Sequence, residues 1–353
     1  MLALLIIGLV ACLVPVPAFG AASAAPVAAP FVAFELDPGK LYELSMAPQC
    51  DYKARVRMWN PSTGEVWVDA IRMGDIMIHS MPVPGHLVCV AVGYGMQAFY
   101  TTPTTPVGEA PAGQLSAGMG PVPVAAPRMQ ALALLAEPLG CDLALLSENY
   151  AFSLAPGATV AGRETVEVRV APKRPGNVRR TVWVDCAVGA ALRIEDRDYR
   201  GSLIWLWEVD LISFAAHDPR MMEAARAALS SPAALPCAVQ RMPLDEVSAR
   251  AGFRVTLPAW APEGYQLVAV RPARVPGASG QRGKVSSVAG VVQLVYSDGL
   301  GAISLYERKA PWWARRASPP RLGQSIEWEH GGIRYVLVGD VDPELLLKMA
   351  RSL

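Results

Sequence analysis

A succession of short, β-rich runs separated by tight turns constrains the fold of this chain more than any other feature. Five runs rich in Val, Ile, Tyr and Trp lie between residues 51 and 102, and five more lie between 150 and 214. Turn residues separate them, among them Asn60-Pro61 and Pro175-Gly176-Asn177. Strands joined by such short turns pair as antiparallel neighbours, so the sequence predicts a large meandering antiparallel sheet.

Helical patterns and further strands complete the expected architecture. Helical periodicity or capping signals mark four segments, at 129–148, 219–230, 243–252 and 342–353. In the last of these, Asp342 is a good N-cap residue and Pro343 suits the first turn. Strand patterns return at 253–258, 265–272, 291–309, 325–330 and 333–340. The sequence therefore predicts an α+β fold that is mostly antiparallel β-structure.

The length of the chain predicts two domains. At 353 residues it exceeds a typical single domain. A Pro- and Ala-rich stretch leads us to expect a first domain over 31–215, a helix and linker over 216–240, and a second domain over 241–353. The first domain carries 15 basic and 19 acidic side chains, and the second carries 15 basic and 10 acidic ones. This asymmetry indicates either an acidic partner for the second domain or attraction between the two domains.

The N-terminal residues 1–24 have the pattern of a secretory signal peptide, because small residues that suit a cleavage site follow an apolar run. No Lys or Arg precedes the run, and Pro15 and Pro17 make it a marginal membrane span. A cleaved signal, an uncleaved anchor and a lipoprotein signal ending at Cys12 all stay open. Each of them predicts a location in the periplasm or on the extracytoplasmic face of the cell membrane.

Five cysteines follow that segment: Cys50, Cys89, Cys141, Cys186 and Cys237. Their wide spacing, without any CxxC pair, argues against zinc binding or thioredoxin-like chemistry. In an oxidising compartment one or two disulfides are plausible, and buried thiols that act as small apolar side chains are the alternative.

The sequence contains no assembled catalytic motif. Its four histidines lack metal-binding spacing, and it has no GxSxG, no glycine-rich phosphate loop and no calcium loop. Glu195 and Asp196 alternate with Arg193 and Arg197, which indicates a solvated ion-pair ladder on a strand edge rather than a hydrolytic carboxylate pair. The net charge of +1 gives no sign of a nucleic-acid partner. We predict a protein that is not an enzyme and that needs no cofactor or metal.

Large apolar side chains in the predicted first-domain strands suggest a ligand cavity. A curved sheet lined by Trp and Met could hold an acyl chain, although the same side chains could equally form an ordinary core. Trp205 and Trp207 are two residues apart and should face the same side of their strand. The candidate lining residues are Trp59, Trp67, Met73, Met77, Trp183, Trp205 and Trp207.

A second candidate surface lies in the predicted second domain, within KAPWWARRASPPR. Trp and Arg are enriched at interface hot spots, and the segment contains Trp312, Trp313, Arg315 and Arg316. We expect this loop to contact a protein or lipid partner, with a loop folded back on its own sheet as the alternative.

The segment VVQLVYSDGLGAISLYERK raises the question whether Ser297 and Asp298 are catalytic. Val292, Leu294 and Tyr296 alternate on one face before the turn, and Ile303 and Leu305 continue that face after it. Asp298-Gly299 supplies the positive φ that a tight turn needs. The segment therefore predicts a β-hairpin and not a nucleophile.

Two stretches of the sequence carry motifs that occur together in one known protein family. In the first, Asn149-Tyr150, Val160-Ala161-Gly162-Arg163, Trp183-Val184-Asp185 and Gly189 follow one another as in that family. In the second, Leu294 to Leu300 (LVYSDGL) resembles the hairpin of the family's C-terminal domain. Together these motifs resemble the RseB/MucB family of sigma-E regulatory proteins. The match covers roughly residues 145–215 and 240–310, whereas residues 31–130 match only in strand pattern.

The resemblance implies an open β-barrel like that of LolA and LolB, with a helical plug, and then a smaller α+β domain of the MucB/RseB C-terminal kind. It also implies an exported regulator that binds the extracytoplasmic part of a membrane anti-sigma factor of the RseA/MucA kind. Such a regulator modulates proteolysis of its partner and senses envelope stress, lipid or lipopolysaccharide. The alternative is a periplasmic lipid or lipoprotein carrier that uses only the first-domain cavity. Self-association stays open.

Overall fold

A computed structural model describes residues 32–34, 51–61, 64–83, 86–93, 96–103, 143–214, 219–231, 235–236, 241–272, 290–310 and 325–353. The expected signal segment 1–24 lies outside these ranges, as does most of the expected helix 129–148. So does the loop that contains Trp312, Trp313, Arg315 and Arg316, which we call the Trp-Arg loop. Among the described residues, no helix has both the length and the apolar character that a membrane crossing requires.

Twelve antiparallel strands form the larger sheet. They are β1 (Val32–Phe34), β2 (Tyr52–Asn60), β3 (Gly64–Met73), β4 (Ile76–Val83), β5 (His86–Gly93), β6 (Met96–Pro103), β7 (Tyr150–Pro156), β8 (Thr165–Pro172), β9 (Arg179–Asp185), β10 (Ala191–Arg197), β11 (Leu203–Ser213) and β12 (Leu235–Pro236). Their order is β1-β7-β8-β9-β10-β11-β2-β3-β4-β5-β6-β12, so two meanders meet where β11 pairs with β2. All ten runs expected in this region form strands. The short strand β12 pairs with β6, so the segment predicted as a linker contributes to the sheet.

Alternating burial separates the two faces of this sheet. Along β2 the side chains of Tyr52, Ala54, Val56 and Met58 are buried, while the residues between them are exposed or half-buried. We call the side that holds these four residues the core face. Successive strands extend it through Val68, Ala70, Val90, Leu192, Ile194, Trp207 and Val209, which belong to one hydrophobic cluster.

The opposite side, which we call the ladder face, changes from apolar to charged along the sheet. Around Ile71, Ile76, Ile78 and Cys89 it is apolar, and helix α2 (Pro219–Leu229) packs on it there. The contact there joins Met222 and Leu229 of α2 to Ile71, Ile78 and Cys89. Toward β8 to β11 the same side carries charged residues. A short helix, α1 (Leu143–Asn149), leads directly into β7.

A five-stranded antiparallel sheet forms the rest of the described chain. It consists of β13 (Gln266–Pro272), β14 (Val291–Ser297), β15 (Ala302–Lys309), β16 (Ser325–His330) and β17 (Ile333–Gly339), in the order β13-β14-β15-β17-β16. Helices α3 (Leu244–Ala251) and α4 (Pro343–Ala350) contribute Val247, Leu346 and Met349 to its hydrophobic cluster. The described structure is therefore α+β and mostly antiparallel, as predicted.

Local signals at the helix ends of this region are confirmed. Gly252 ends α3 in the left-handed conformation, at φ +73°. Asp342 caps α4, because its side-chain oxygen accepts a hydrogen bond from the backbone N–H of Glu344 at 3.0 Å. Pro343 follows at the first helical position.

The strand expected at 253–258 is wrong, because this segment runs without regular structure beside the small sheet. Two of its backbone N–H groups donate to side chains instead of to a neighbouring strand. The N–H of Val255 donates to Ser248 Oγ at 3.1 Å, and that of Thr256 donates to Glu307 Oε2 at 3.3 Å. Alternating sequence alone did not reveal these tertiary acceptors.

Candidate functional site

The two sheets meet at the turn of the β14–β15 hairpin, where Asp298 is completely buried. Its Oδ2 atom accepts a hydrogen bond from the hydroxyl of Tyr150 at 2.6 Å and another from Nδ2 of Asn177 at 2.7 Å. Tyr150 begins β7, and Asn177 lies in the turn before β9. One carboxylate of the small sheet is therefore held by two side chains of the large-sheet region.

The other oxygen of Asp298 builds the turn itself. Oδ1 accepts from the backbone N–H groups of Leu300 at 3.0 Å and Gly301 at 2.7 Å. The hydroxyl of Ser297 donates to the carbonyl of Gly301 at 2.9 Å and accepts from the N–H of Gly299 at 3.1 Å. Because both side chains are committed to these bonds, the predicted hairpin turn is confirmed and Ser297 is not arranged as a nucleophile.

Asn149 ties the junction together from the end of α1. Its Nδ2 atom donates to the carbonyl of Asp298 at 3.0 Å and to that of Gly264 at 3.1 Å. Its Oδ1 atom accepts from Nη1 of Arg174 at 2.5 Å, and Arg174 forms an ion pair with Glu263 at 2.8 Å. Three groups from distant parts of the sequence thus converge on one amide side chain.

Glycines allow the close approach of the backbones at this junction. Gly299 has φ +101°, and a Cβ atom there would lie 2.3 Å from the backbone nitrogen of Leu146. A Cβ atom at Gly176 would lie 2.9 Å from the Leu345 side chain of α4, and the N–H of Asp342 donates to the carbonyl of Gly176 at 3.2 Å. The junction therefore has steric as well as polar complementarity. We call Asn149, Tyr150, Asn177 and Asp298 the junction residues.

Burial keeps the hydroxyl of Tyr150 protonated. Desolvation raises the pKa of Tyr150 far above its ordinary value, and the nearby Asp298 carboxylate raises it further. Burial and the same carboxylate also raise the pKa of Tyr265. Tyr150 is thus fixed as a hydrogen-bond donor to Asp298.

The charged part of the ladder face is a cross-strand network. Glu208 of β11 lies between Arg57 and Arg193, and Glu195 lies between Arg193 and Arg197. Burial acts to raise the pKa of Glu195, but hydrogen bonds from the two arginines outweigh it, and the net pKa is lowered. The predicted ion pairs are present, because each of these carboxylates is paired with arginine. The expectation of a solvated ladder on a sheet edge is wrong, since Glu195 is buried and β10 lies between β9 and β11 inside the sheet.

The seven candidate lipid-cavity residues lie on both faces of the large sheet. Trp205 and Trp207 share the core face, as expected from their spacing, and Met77 packs against the same cluster. Trp59, Trp67 and Met73 lie on the ladder face, where Met73 packs near α2. That all seven residues line one lipid cavity stays a prediction.

Trp183 and Trp67 each form a cation–π contact with an arginine. The guanidinium of Arg193 lies over the Trp183 ring at 4.8 Å, and Trp183 is buried within the large cluster. Trp67 has Arg55 over its ring at 4.9 Å. It also lines a cavity of about 350 Å³ together with Arg57 and Glu208, so this cavity has charged walls.

The four partner-binding candidates Trp312, Trp313, Arg315 and Arg316 lie outside the described residues. Of the cysteines, Cys89 is buried under α2 and Cys186 is a half-buried free thiol, whereas Cys50, Cys141 and Cys237 also lie outside. In the described ranges, no group of three His, Cys, Asp or Glu side chains is placed to hold a metal ion.

Sequence reasoning did not identify the junction residues as one site. Asn149, Tyr150 and Asp298 were recognised only as parts of two separate motifs, and Asn177 only as a turn residue. One signal in the sequence could have found them. Each of the two motifs has a polar side chain where one secondary-structure element ends, Asn149 before a strand and Asp298 in a turn.

Comparisons with known proteins give structural similarities only. No protein-family model matches the chain, and no curated protein matches it. MucB in complex with MucA(peri) is similar at 15% identity and a TM-score of 0.48, over 89% of this chain and 96% of that one. The Pseudomonas aeruginosa MucA/MucB complex is similar at 14% identity and a TM-score of 0.47, over 88% and 95%. A LolA superfamily protein from Nitrosomonas europaea is similar at 10% identity and a TM-score of 0.20, over 52% and 94%.

Proposed function

We propose that this protein is an exported regulator that binds the extracytoplasmic part of a membrane anti-sigma factor. In this role it modulates proteolysis of that factor in response to envelope stress or lipid. The observation that carries the proposal is the junction at Asp298. It joins the two stretches in which the sequence resembles RseB/MucB, through Asn149 and Tyr150 near the start of the first stretch and Asp298 in the hairpin of the second.

A buried polar junction supports a binding role for both domains acting together. Each junction hydrogen bond to the Asp298 carboxylate is charge-assisted, and such bonds fix geometry as well as adding stability. A protein that only carried lipid would need the large sheet alone. Holding the small sheet in one orientation is useful when a single partner contacts both.

The partner we propose is of the kind named for MucB, which forms a complex with MucA(peri). The proposed location is the periplasm or the extracytoplasmic face of the cell membrane, as the N-terminal segment predicts. A binding role is also consistent with the commitment of Ser297, Asp298, Glu195 and Glu208 to structural hydrogen bonds and ion pairs.

A lipid or lipoprotein carrier is the second candidate. The observation that favours it is the pair Trp205 and Trp207, which project from the core face of β11 into the hydrophobic cluster. In this case the large-sheet region would be the functional part, and the second domain would be dispensable for ligand binding.

Co-purification from envelope extracts distinguishes the two candidates. With the tagged protein as bait, we expect mass spectrometry to identify a transmembrane anti-sigma factor, whose extracytoplasmic part should then be cleaved more slowly by its protease when the protein is added. Recovery of acyl lipid without an anti-sigma factor would contradict the regulator and support the carrier.

The Trp-Arg loop provides a variant for the same assay. We expect replacement of Trp312, Trp313, Arg315 and Arg316 by Ala to weaken partner binding by about tenfold, because clustered Trp and Arg side chains dominate many interfaces. Arg308→Ala with Arg351→Ala removes two exposed cations elsewhere in the second domain and should change binding by less than about twofold. An intact fold with unchanged affinity in the loop variant would remove the loop from the interface.

A further inference from the structure

A second cavity, of about 560 Å³, lies at one end of the small sheet, away from the junction. It is bounded by the end of α3, the end of β15 and the β16–β17 turn. Phe253, Thr256 and Tyr335 contribute to its walls, and Gly331-Gly332 form the turn at its rim. Ligand pockets in proteins commonly have this volume.

Three basic side chains line this cavity: Arg254, Lys309 and His330. All three residues are exposed, and in the part of the chain that the structure describes none of them is in an ion pair. The lining contains no Asp or Glu residue. This differs from the ladder face, where arginine and carboxylate side chains alternate.

One acidic residue, Glu307, contacts the lining from beneath through the backbone of Thr256. Glu307 is completely buried, and its Oε2 atom accepts from the backbone N–H of Thr256 at 3.3 Å. Because the Glu307 side chain has no exposed surface, it cannot meet a ligand in the cavity. A ligand in the cavity would therefore meet cationic and aromatic groups.

We propose that this cavity, which we call the basic pocket, binds an acidic peptide segment of a protein partner. A cavity of about 560 Å³ is larger than a single small anion needs, and Phe253 and Tyr335 offer apolar contact as well. A peptide that carries both carboxylate and apolar side chains would use both features. The excess of basic residues in 241–353, with 15 basic and 10 acidic side chains, adds long-range attraction for such a segment.

The inference rests on the proposed function only in taking the ligand to be part of a protein. Its test needs no anti-sigma factor. The probe is a fluorescein-labelled peptide of alternating Glu and Leu, added to the full chain, with the same peptide carrying Lys in place of Glu as the comparison. We expect the acidic peptide to bind and the basic one not to bind.

Paired variants place the binding at the pocket. Arg254→Gln with Lys309→Gln should weaken binding of the acidic peptide by about tenfold, whereas Arg308→Gln with Arg351→Gln, which removes the same net charge, should change it by less than about twofold. Equal losses from the two double variants would overturn the proposal, because the attraction would then come from net charge alone. Equal binding of the acidic and basic peptides would overturn it as well.

The ring resonance of His330 reports occupancy directly, because the chain has only four histidines and His330→Gln assigns the signal. We expect the acidic peptide to shift it and the basic peptide to leave it in place. A shift with inorganic phosphate but none with the acidic peptide would mean a small-anion site and would overturn the proposal. If an anti-sigma factor co-purifies while the peptide does not bind, the pocket proposal fails and the proposed function stands.

Discussion

At the scale of single residues, the hydroxyl of Tyr150 contributes directly to the stability of the junction. Tyr150→Phe removes one donor from the buried Asp298 carboxylate and leaves Asn177 to satisfy Oδ2. We expect the free energy of unfolding to fall by about 2 kcal/mol, because a hydrogen bond to a buried charge is stronger than a neutral one. Urea denaturation measures the change. The control is Tyr199→Phe, at a half-buried position in the turn that follows β10, which should lower the free energy of unfolding by less than about 0.5 kcal/mol. Equal losses from both variants would contradict a special role for Tyr150.

The same residue scale shows where sequence reasoning stopped. Asp298-Gly299 was predicted as a turn because turn chemistry is local, and the structure confirms it. Its partners Tyr150 and Asn177 are 148 and 121 residues away in the chain. Without their tertiary positions, a polar side chain in a strand or a turn gives no sign of what it will bind.

At the scale of secondary-structure elements, the approach of the hairpin turn to α1 limits what residue 299 can be. Gly299→Ala forces a Cβ atom to within 2.3 Å of the Leu146 nitrogen, in a backbone conformation with φ +101°. We expect a loss of about 3 kcal/mol or more in the free energy of unfolding, because both the turn and α1 must shift. Gly331→Ala is the matched control: it also has positive φ, +58°, but its Cβ atom would meet nothing within 4 Å. Thermal unfolding should show a much smaller change there, and similar shifts for the two variants would mean that α1 is not packed against the turn.

Element prediction succeeded where side-chain periodicity reports burial on one face. The five runs predicted between residues 150 and 214 all form strands, among them β8, whose Val-rich run is bounded by turns. It failed at 253–258, where alternating sequence forms irregular chain bonded to Ser248 and Glu307. It also could not assign Trp59 and Trp205 to opposite faces of the sheet, since relative facing depends on the register between β2 and β11.

At the scale of the whole molecule, the two sheets are expected to respond to pH in opposite directions. His79 is buried in the large-sheet region, and desolvation lowers its pKa to about 4. Its neutral form is therefore favoured in the folded state, so its contribution to stability is complete above its ordinary pKa of 6.5 and is lost as the pH falls toward 4.

Glu307 is buried in the small-sheet region, and desolvation raises its pKa to about 7 although the bond from Thr256 opposes this. Its contribution is complete below its ordinary pKa of 4.5 and is lost as the pH rises through about 7.

Hydrogen exchange resolved by region tests this prediction, with rates corrected for the intrinsic effect of pH. Between about pH 7 and pH 5 we expect the strands around His79 to lose about 2 kcal/mol of protection and the strands around Glu307 to gain a similar amount, because each pKa unit corresponds to about 1.4 kcal/mol. His79→Gln should flatten the response of the large sheet only, and Glu307→Gln that of the small sheet only. The junction residues connect the two responses, since Asp298 of the small sheet is held by Tyr150 and Asn177 of the large-sheet region. Both regions could instead lose protection together at low pH in the unmodified protein and in both variants. In that case neither His79 nor Glu307 would determine the pH dependence of its own sheet.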